Sequence, residues 1–350
     1  MRPEGEQSLD SKRGEVIYRR KLALQQSNEG QAIVPEAHTK QEILAVMEER
    51  MAQTRRDIKT ITATGVPISP YIELGAERCQ RALVLENEFS AAGFALDISF
   101  DMLRYASIIA ERFCLTQMPI RIACDLHNLP FRSETLAFAF CYQTLHHFPS
   151  PLPICEEISR VLQANGGLFF DDEPVKGYYR RFMPRYHRKG HHLSAFERLI
   201  SKFGLLTVLS KADVLEQEHG ILEEEFDIPM WRRALSGFQP IRIVVNRRLR
   251  IRVNSLNWNP SGILAQLAGG NIQVLAKKTN PRKSQEFSHR KEKLLDLLGC
   301  PNCGDKPALS RSSVNEFKCP QCKTSYPEID GVLLLFEKSL GTELYPEYFS

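Results

Sequence analysis

The 350-residue sequence predicts an α/β protein, a doubly wound and mostly parallel sheet with a helical insertion, followed by a small cysteine-bearing domain. Three observations lead there. Strand-length apolar segments alternate with helical ones between residues 70 and 174. The first two strands are joined through a glycine turn and a helix and close on an acid, Asp97 lying 22 positions beyond Gly75. Two Cys-x-x-Cys pairs stand together near the C-terminus.

Taken in order, residues 1–36 are polar, mixed in charge and without sustained periodicity, which predicts a mobile tail with a short helical piece at Tyr18 to Gln26. From His38, Ile43, Leu44, Met47, Met51 and Ile58 recur at helical spacing, and Gly65-Val66-Pro67 ends that helix. Such an apolar stripe is expected to pack on the sheet. Tyr71-Ile72-Glu73-Leu74 is the first strand, and Gly75 the turn where the backbone takes positive φ. Gln80 to Phe89 is a helix, and Gly93 to Leu96 a strand ending in Asp97. Ser99 to Phe113 is helical, Ile120 to Cys124 is a strand ending at Asp125, and the apolar run Leu136 to Tyr142 is a central strand covered on both faces. Pro151 to Leu162 is helical, Asn165-Gly166-Gly167 breaks it, and Leu168-Phe169-Phe170 leads into Asp171-Asp172-Glu173.

A helical insertion is expected at about 175–240, clearest at Ser194 to Phe203 and Ile228 to Phe238. Ile241 to Val253 reads as strand, turn and strand, and Gly270 to Leu275 as a last antiparallel strand. The expected organisation is a tail over 1–36, one domain over 37–276, a Lys/Arg/Ser/Pro-rich linker over 277–290, and a small domain over 291–350.

Composition bounds the function. With 43% apolar and 25% charged residues the chain reads as a soluble globular protein, not a disordered one. It has no run of 18 apolar residues, and Met-Arg-Pro-Glu-Gly-Glu-Gln lacks the apolar core of a signal peptide, so no membrane span and a cytoplasmic location are expected. The net charge of +4 is uneven: residues 174–260 carry 16 Lys and Arg against 8 Asp and Glu, +8, leaving 4 − 8 = −4 for the rest. Tyr178-Tyr179-Arg180-Arg181 to Lys189, and Arg242, Arg247, Arg248, Arg250 and Arg252, are basic patches; a solvated basic helix face is one reading of the first, and together they otherwise favour an anionic acceptor such as a phosphate-bearing lipid or sugar, or RNA.

The order of motifs over residues 68–174 resembles the class I S-adenosylmethionine-dependent methyltransferases, with their Rossmann-like sheet, and within them the group that modifies small molecules, quinones and lipids. The residues that carry the resemblance are Glu73-Leu74-Gly75, Asp97-Ile98-Ser99, Asp125 with Leu129-Pro130-Phe131, Leu145-His146-His147-Phe148, the helix Glu156 to Leu162, and Asn165-Gly166-Gly167. The resemblance implies S-adenosylmethionine as cofactor, with Glu73 and Gly75 at its methionine moiety, Asp97 on the ribose, Ile98 against the adenine, and Asp125 with Leu126 at the adenine edge. This chain departs from the pattern in having Glu77 and Cys79 where the family repeats glycine, and Ala137 where it often has an acid.

Methyl transfer from a sulfonium is a direct displacement, so catalysis comes from alignment and from excluding water, and a base is needed only if the acceptor must lose a proton. The groups expected on the acceptor side are His146, Asp172 and Glu173, with Tyr142, His147 and Asp171 beside them. For the histidine pair the alternative is a hydrogen-bonded structural role, and for Asp171-Asp172-Glu173 it is helix capping. A second reading of the whole chain is a cofactor-less methyltransferase fold that binds RNA or a protein partner.

Cys300, Cys303, Cys319 and Cys322, with 15 residues between the pairs, have the spacing of a closed tetrahedral zinc site of structural type. A redox pair is the alternative. Residues 294–332 resemble the small zinc-ribbon protein that activates methyltransferases acting on tRNA, rRNA and release factors, which implies a helper fused to its client.

Overall fold

The computed structural model describes residues 7–29, 40–176, 220–246, 251–253, 256, 260–279 and 291–349. The expected Ser194 to Phe203 helix, the basic stretch Tyr178 to Lys189, Arg247, Arg248 and Arg250, and most of the linker lie outside the described residues.

The chain opens with α1 (Leu9–Glu29), where a mobile tail was expected. No apolar stripe announces this helix, because salt links hold it. Four of its five basic residues form two pairs, Lys12-Arg13 and Arg19-Arg20, seven positions or two helical turns apart. Lys12 and Arg19 reach Asp125 and Glu77 on one side, while Arg13 and Arg20 reach Glu343 and Glu347 near the C-terminus on the other. Next, α2 (Lys40–Thr62) buries Met47, Met51, Ile58 and Ile61, as its stripe required.

The alternating units follow: β1 (Tyr71–Leu74), α3 (Gln80–Glu88), β2 (Gly93–Asp97), α4 (Phe100–Leu103), α5 (Ala106–Arg112), β3 (Ile120–Ala123), β4 (Leu136–Tyr142), α6 (Leu152–Val161) and β5 (Leu162–Val175). Two details differ from the sequence reading. The expected helix from Ser99 to Phe113 is split at Arg104-Tyr105, and β5 begins at Leu162, passing through Asn165 at φ 61° without a break. α7 (Ile228–Ala234), β6 (Phe238–Val245), β7 (Ile251–Arg252), α8 (Pro260–Ala268) and β8 (Gly270–Lys278) complete this part. α7 is capped by Asp227, whose carboxylate accepts from the Met230 amide, and its buried Trp231 stacks on Phe170 with ring centroids 5.0 Å apart.

The C-terminal segment adds α9 (Lys291–Leu294), β9 (Ser310–Ser313), β10 (Glu316–Lys318), β11 (Ser325–Ile329), β12 (Val332–Leu334) and α10 (Lys338–Leu344). All strands join one sheet, in the order β7-β6-β8-β5-β4-β1-β2-β3-β12-β11-β10-β9. The centre, β5-β4-β1-β2-β3-β12, is parallel throughout. Both flanks are antiparallel. The cysteine-bearing segment therefore continues the sheet, with Leu333 opposite Ile122 and Leu334 opposite Ala123. β1, β2 and β4 are buried on both faces, which is why β4 reads as an unbroken apolar run and β1 and β2 as apolar runs interrupted only by Glu73 and closed by Asp97.

Candidate active site

At the carboxyl ends of β1, β2 and β4, where open α/β sheets bind ligands, lies a cavity of about 260 Å³. Its lining includes Glu73, Gly75, Asp97, Ile98, Asp125 and Leu126, all six of the expected cofactor residues. Gly75, at φ 66°, is held close to Thr144, whose Oγ1 would lie 2.5 Å from any Cβ at this position. The glycine is thus required by its β4-side neighbour as well as by its backbone angle.

Glu77 and Cys79, standing where glycines were expected, both adopt the left-handed backbone that glycine would, at φ 45° and 60°. The turn is kept at a cost of roughly 1–2 kcal/mol per residue. Hydrogen bonds hold it: the Glu77 amide donates to the Asp97 carboxylate (2.9 Å) and the Cys79 amide to the Ala76 carbonyl (2.7 Å). The Glu77 side chain accepts from Arg50 at 2.7 Å and pairs with Arg19 at 3.5 Å. Burial would raise its carboxyl, but Arg50, Arg19 and Arg78 outweigh that and hold it well below the usual carboxylate range.

Asp97 accepts from two backbone amides, Glu77 and Ser99 (2.9 and 2.8 Å), which fix its carboxylate at the cavity wall, and burial raises its pKa. The Ile98 carbonyl accepts from the Tyr345 hydroxyl (2.7 Å), and the Tyr345 hydroxyl oxygen in turn accepts from the Phe100 amide (3.0 Å), so the C-terminal segment pins this loop. Asp125 caps the turn at Leu126–Asn128 through the His127 amide and is paired with Lys12 at 2.6 Å. Burial opposes its ionisation; the His127 hydrogen bond and the Lys12 charge prevail, and its pKa is lowered. Burial pushes Glu73 up to about 8, although its carboxyl accepts from the Ala82 amide (2.9 Å).

Of the three expected catalytic residues, His146 lines the cavity, and Asp172 and Glu173 are not among its lining residues. Glu173 is fully buried behind His146; its carboxylate accepts from the Thr144, Leu145 and His146 amides (2.7, 3.0 and 3.1 Å) and lies 2.9 Å from His146 Nδ1. It thereby anchors the turn that carries both histidines. Asp172, at φ 66°, is turned to Gln143 and Asn271. His147 lies against the Leu222 carbonyl and the Glu223 carboxylate, and burial, then His146, lowers its pKa well below the usual value. Tyr142 donates to Asp57 of α2 (3.0 Å), and Arg81 sits 3.6 Å over its ring. Burial, reinforced by Asp171, raises Asp57 to about 6.

Sequence reasoning missed Gln7 just before α1, Glu15 and Arg19 of α1, Arg50 of α2, and Glu223, all of which line the cavity. The one signal for α1 was the seven-residue repeat of Lys12-Arg13 at Arg19-Arg20.

At the far end of the sheet the four cysteines converge. Their sulfurs all lie within 4.8 Å of one another, Cys300 to Cys322 at 3.6 Å and Cys303 to Cys319 at 3.9 Å. Four thiolates about 2.3 Å from one tetrahedral ion are separated by about 3.8 Å. Tyr326 and Asn302 surround the cluster, the Tyr326 hydroxyl lying 3.0 Å from the Cys300 sulfur and accepting from the Asn302 amide.

Residues 72–170 match the family described as methyltransferase domain. No curated protein sequence matches the chain. Among solved structures, this chain is similar to geranyl diphosphate C-methyltransferase from Streptomyces coelicolor A3(2), solved with Mg²⁺, geranyl diphosphate and S-adenosyl-L-homocysteine (12% identity, 75% of this chain and 98% of that one, TM-score 0.45). It is also similar to the [4+2]-cyclase SpnF (14%, 76% and 94%, 0.41). A third is a chain of the complex between the Haloferax volcanii Trm112 methyltransferase activator and a methyltransferase partner (14%, 67% and 95%, 0.40). At such identities and scores they say nothing of substrate. Among the described residues, no helix is long and apolar enough to cross a membrane.

Proposed function

We propose that the protein is an S-adenosylmethionine-dependent methyltransferase whose cofactor lies in the cavity between Gly75 and Asp97, with a structural zinc ion held by Cys300, Cys303, Cys319 and Cys322. The observation that carries the reading is the gathering of Glu73, Gly75, Asp97, Ile98, Asp125 and Leu126 around one cavity inside a matched methyltransferase domain. The charge of the lining supports it. Burial keeps Glu73 protonated, and the five other carboxyl groups (Glu15, Glu77, Asp97, Asp125, Glu223) face three guanidiniums (Arg19, Arg50, Arg81), an acid-rich surface suited to a cofactor that carries a sulfonium and an ammonium against one carboxylate. Gln80 Oε1, buried at this wall, has no protein partner and fits an ammonium donor.

The cofactor supplies an electrophilic methyl group. The residues of this chain bind and orient: Asp97 accepts from the ribose hydroxyls, Ile98 and Leu126 flank the base, and Arg19, Gln80 and Glu73 surround the methionine end. α1 and its ion pairs keep water from the cavity. On the acceptor side Glu173 fixes Nδ1 of His146, whose Nε2 stands 3.4 Å from the Glu223 carboxylate at the cavity wall, so the imidazole serves to orient the acceptor. An anionic acceptor, expected from the basic patches, finds little complement in this acid-rich wall; a small acceptor with hydroxyl or enol oxygens suits it better.

Calorimetry with S-adenosylmethionine and its demethylated product tests the reading. Both should bind, and Asp97→Ala should weaken them roughly ten- to hundredfold, the worth of a charged hydrogen-bonding partner. No binding to the parent protein, or an Asp97→Ala variant that binds as the parent does, overturns it.

A further inference from the structure

We propose that His146, His147 and Glu223 form a divalent-metal site in the cavity wall, of the two-histidine, one-carboxylate type. The donor atoms of these three residues lie within 4.8 Å of one another, and all three residues line the cavity. The Glu223 carboxylate stands between the rings, 3.4 Å from His146 Nε2 and 3.3 Å from His147 Nδ1. Those spacings are long for charge-assisted hydrogen bonds, which run about 2.7–2.9 Å. The His146 Nε2 spacing is that of neighbouring ligands on one ion, since donors about 2.1 Å from a metal and separated by the tetrahedral angle lie about 3.4 Å apart. His147 Nδ1, by contrast, donates to the Leu222 carbonyl (3.0 Å), so that ring would ligate through its other nitrogen.

The surroundings are those of a metal-bound imidazole. The other nitrogen of His146 is held by the buried Glu173 at 2.9 Å, the carboxylate–histidine arrangement that fixes ring orientation and raises ligand basicity. Glu173 is itself fixed by three backbone amides, so the ligand platform is rigid. Two imidazoles and one carboxylate leave coordination positions open toward the cavity, and they suit Mn²⁺, Fe²⁺ or Zn²⁺, whereas four thiolates select a softer ion. An oxygen of the methyl acceptor would complete the sphere, which makes the ligand class an acceptor with a hydroxyl, enol or carboxyl oxygen. The site stands on the chain's own donors and not on the cofactor, so its failure would leave the methyltransferase reading intact.

The test uses the full chain with its cysteine cluster metal-loaded, and Mn²⁺ as the probe, read by loss of the free-ion electron paramagnetic resonance signal. One further equivalent should bind, and Glu223→Gln and His147→Ala should each weaken it at least about tenfold. A matching Co²⁺ titration should show the added equivalent without sulfur-to-cobalt charge transfer. Unfolding curves of Glu223→Gln establish that the variant is folded before it is compared. The proposal is overturned if the parent takes up no ion beyond the cysteine-bound one, or if folded Glu223→Gln and His147→Ala both bind Mn²⁺ as the parent does.

Discussion

The cavity and the four-cysteine cluster sit on the same sheet and are assembled in opposite ways. The cluster draws its four sulfurs from 23 consecutive residues, Cys300 to Cys322, around one tight hairpin system. The cavity draws its wall from Gln7 through Glu223, and its holding contacts span long stretches of chain, as in Lys12 with Asp125 and His146 with Glu173. A locally assembled site needs little from the rest of the fold. The dispersed one needs all of it, including the cluster's own segment, because Tyr345 holds the backbone of Ile98 and Phe100.

The sharpest way to break that contrast is to remove the metal. Cys300→Ser with Cys319→Ser is expected to abolish one zinc equivalent by elemental analysis and to forfeit a folding contribution on the order of 10 kcal/mol, as structural zinc gives in small modules. Since β12 pairs with β3, cofactor affinity should fall with it. Unchanged calorimetric binding in the double variant would show the two regions to be independent.

A smaller effect comes from the α1 clasp. The side chains of Lys12 and Asp125 are 5% and 12% exposed, so Lys12→Met leaves a buried carboxylate without its counter-charge and should cost about 3 kcal/mol in urea unfolding. Asp125→Asn in the same chain should restore much of it. A loss below about 0.5 kcal/mol, the scale of a surface pair, would mean that α1 is held by its outer salt links.

The smallest effect is a pH dependence. Glu73 has an ordinary value of 4.5 unfolded and about 8 folded, so between those pH values the folded state binds the extra proton and stability falls as pH rises. Glu73→Gln, which keeps an acceptor for the Ala82 amide, should remove that slope: its melting temperature should pass the parent's as pH rises from 5 to 8. Parallel melting curves across that range would refute the protonated state of Glu73.

Much of the central architecture was legible because local chemistry states it. β1, β2 and β4 are apolar runs, Gly75 marks a turn, and Asp97 and Asp125 end strands, so the cavity's floor could be named residue by residue. The cysteine spacing was equally explicit. What escaped reading had no local signature. α1 has no sustained apolar stripe, burying only scattered residues such as Val16, Tyr18 and Ala23, and its basic residues are received by two remote acidic surfaces. Glu223 follows a long chain excursion and meets His146 and His147 only in the folded chain. Asp172 and Glu173 differ by one position in a strand, and alternation sent Glu173 behind His146 and Asp172 to the other side.

Glu77 and Cys79 show the division most clearly. By composition they looked like the loss of a glycine turn, yet the backbone is left-handed at both, because Asp97 and Ala76 supply hydrogen bonds that outweigh the cost. The existence of the central strands, the floor of the cavity and the pairing of the four cysteines were readable in sequence, since these rest on periodicity, turn chemistry and short spacing. Only the tertiary structure decided that a polar helix closes the cavity, that the cysteine segment extends the same sheet, and that two histidines meet one glutamate. Those outcomes depend on charges and backbone edges that become neighbours only when distant segments dock.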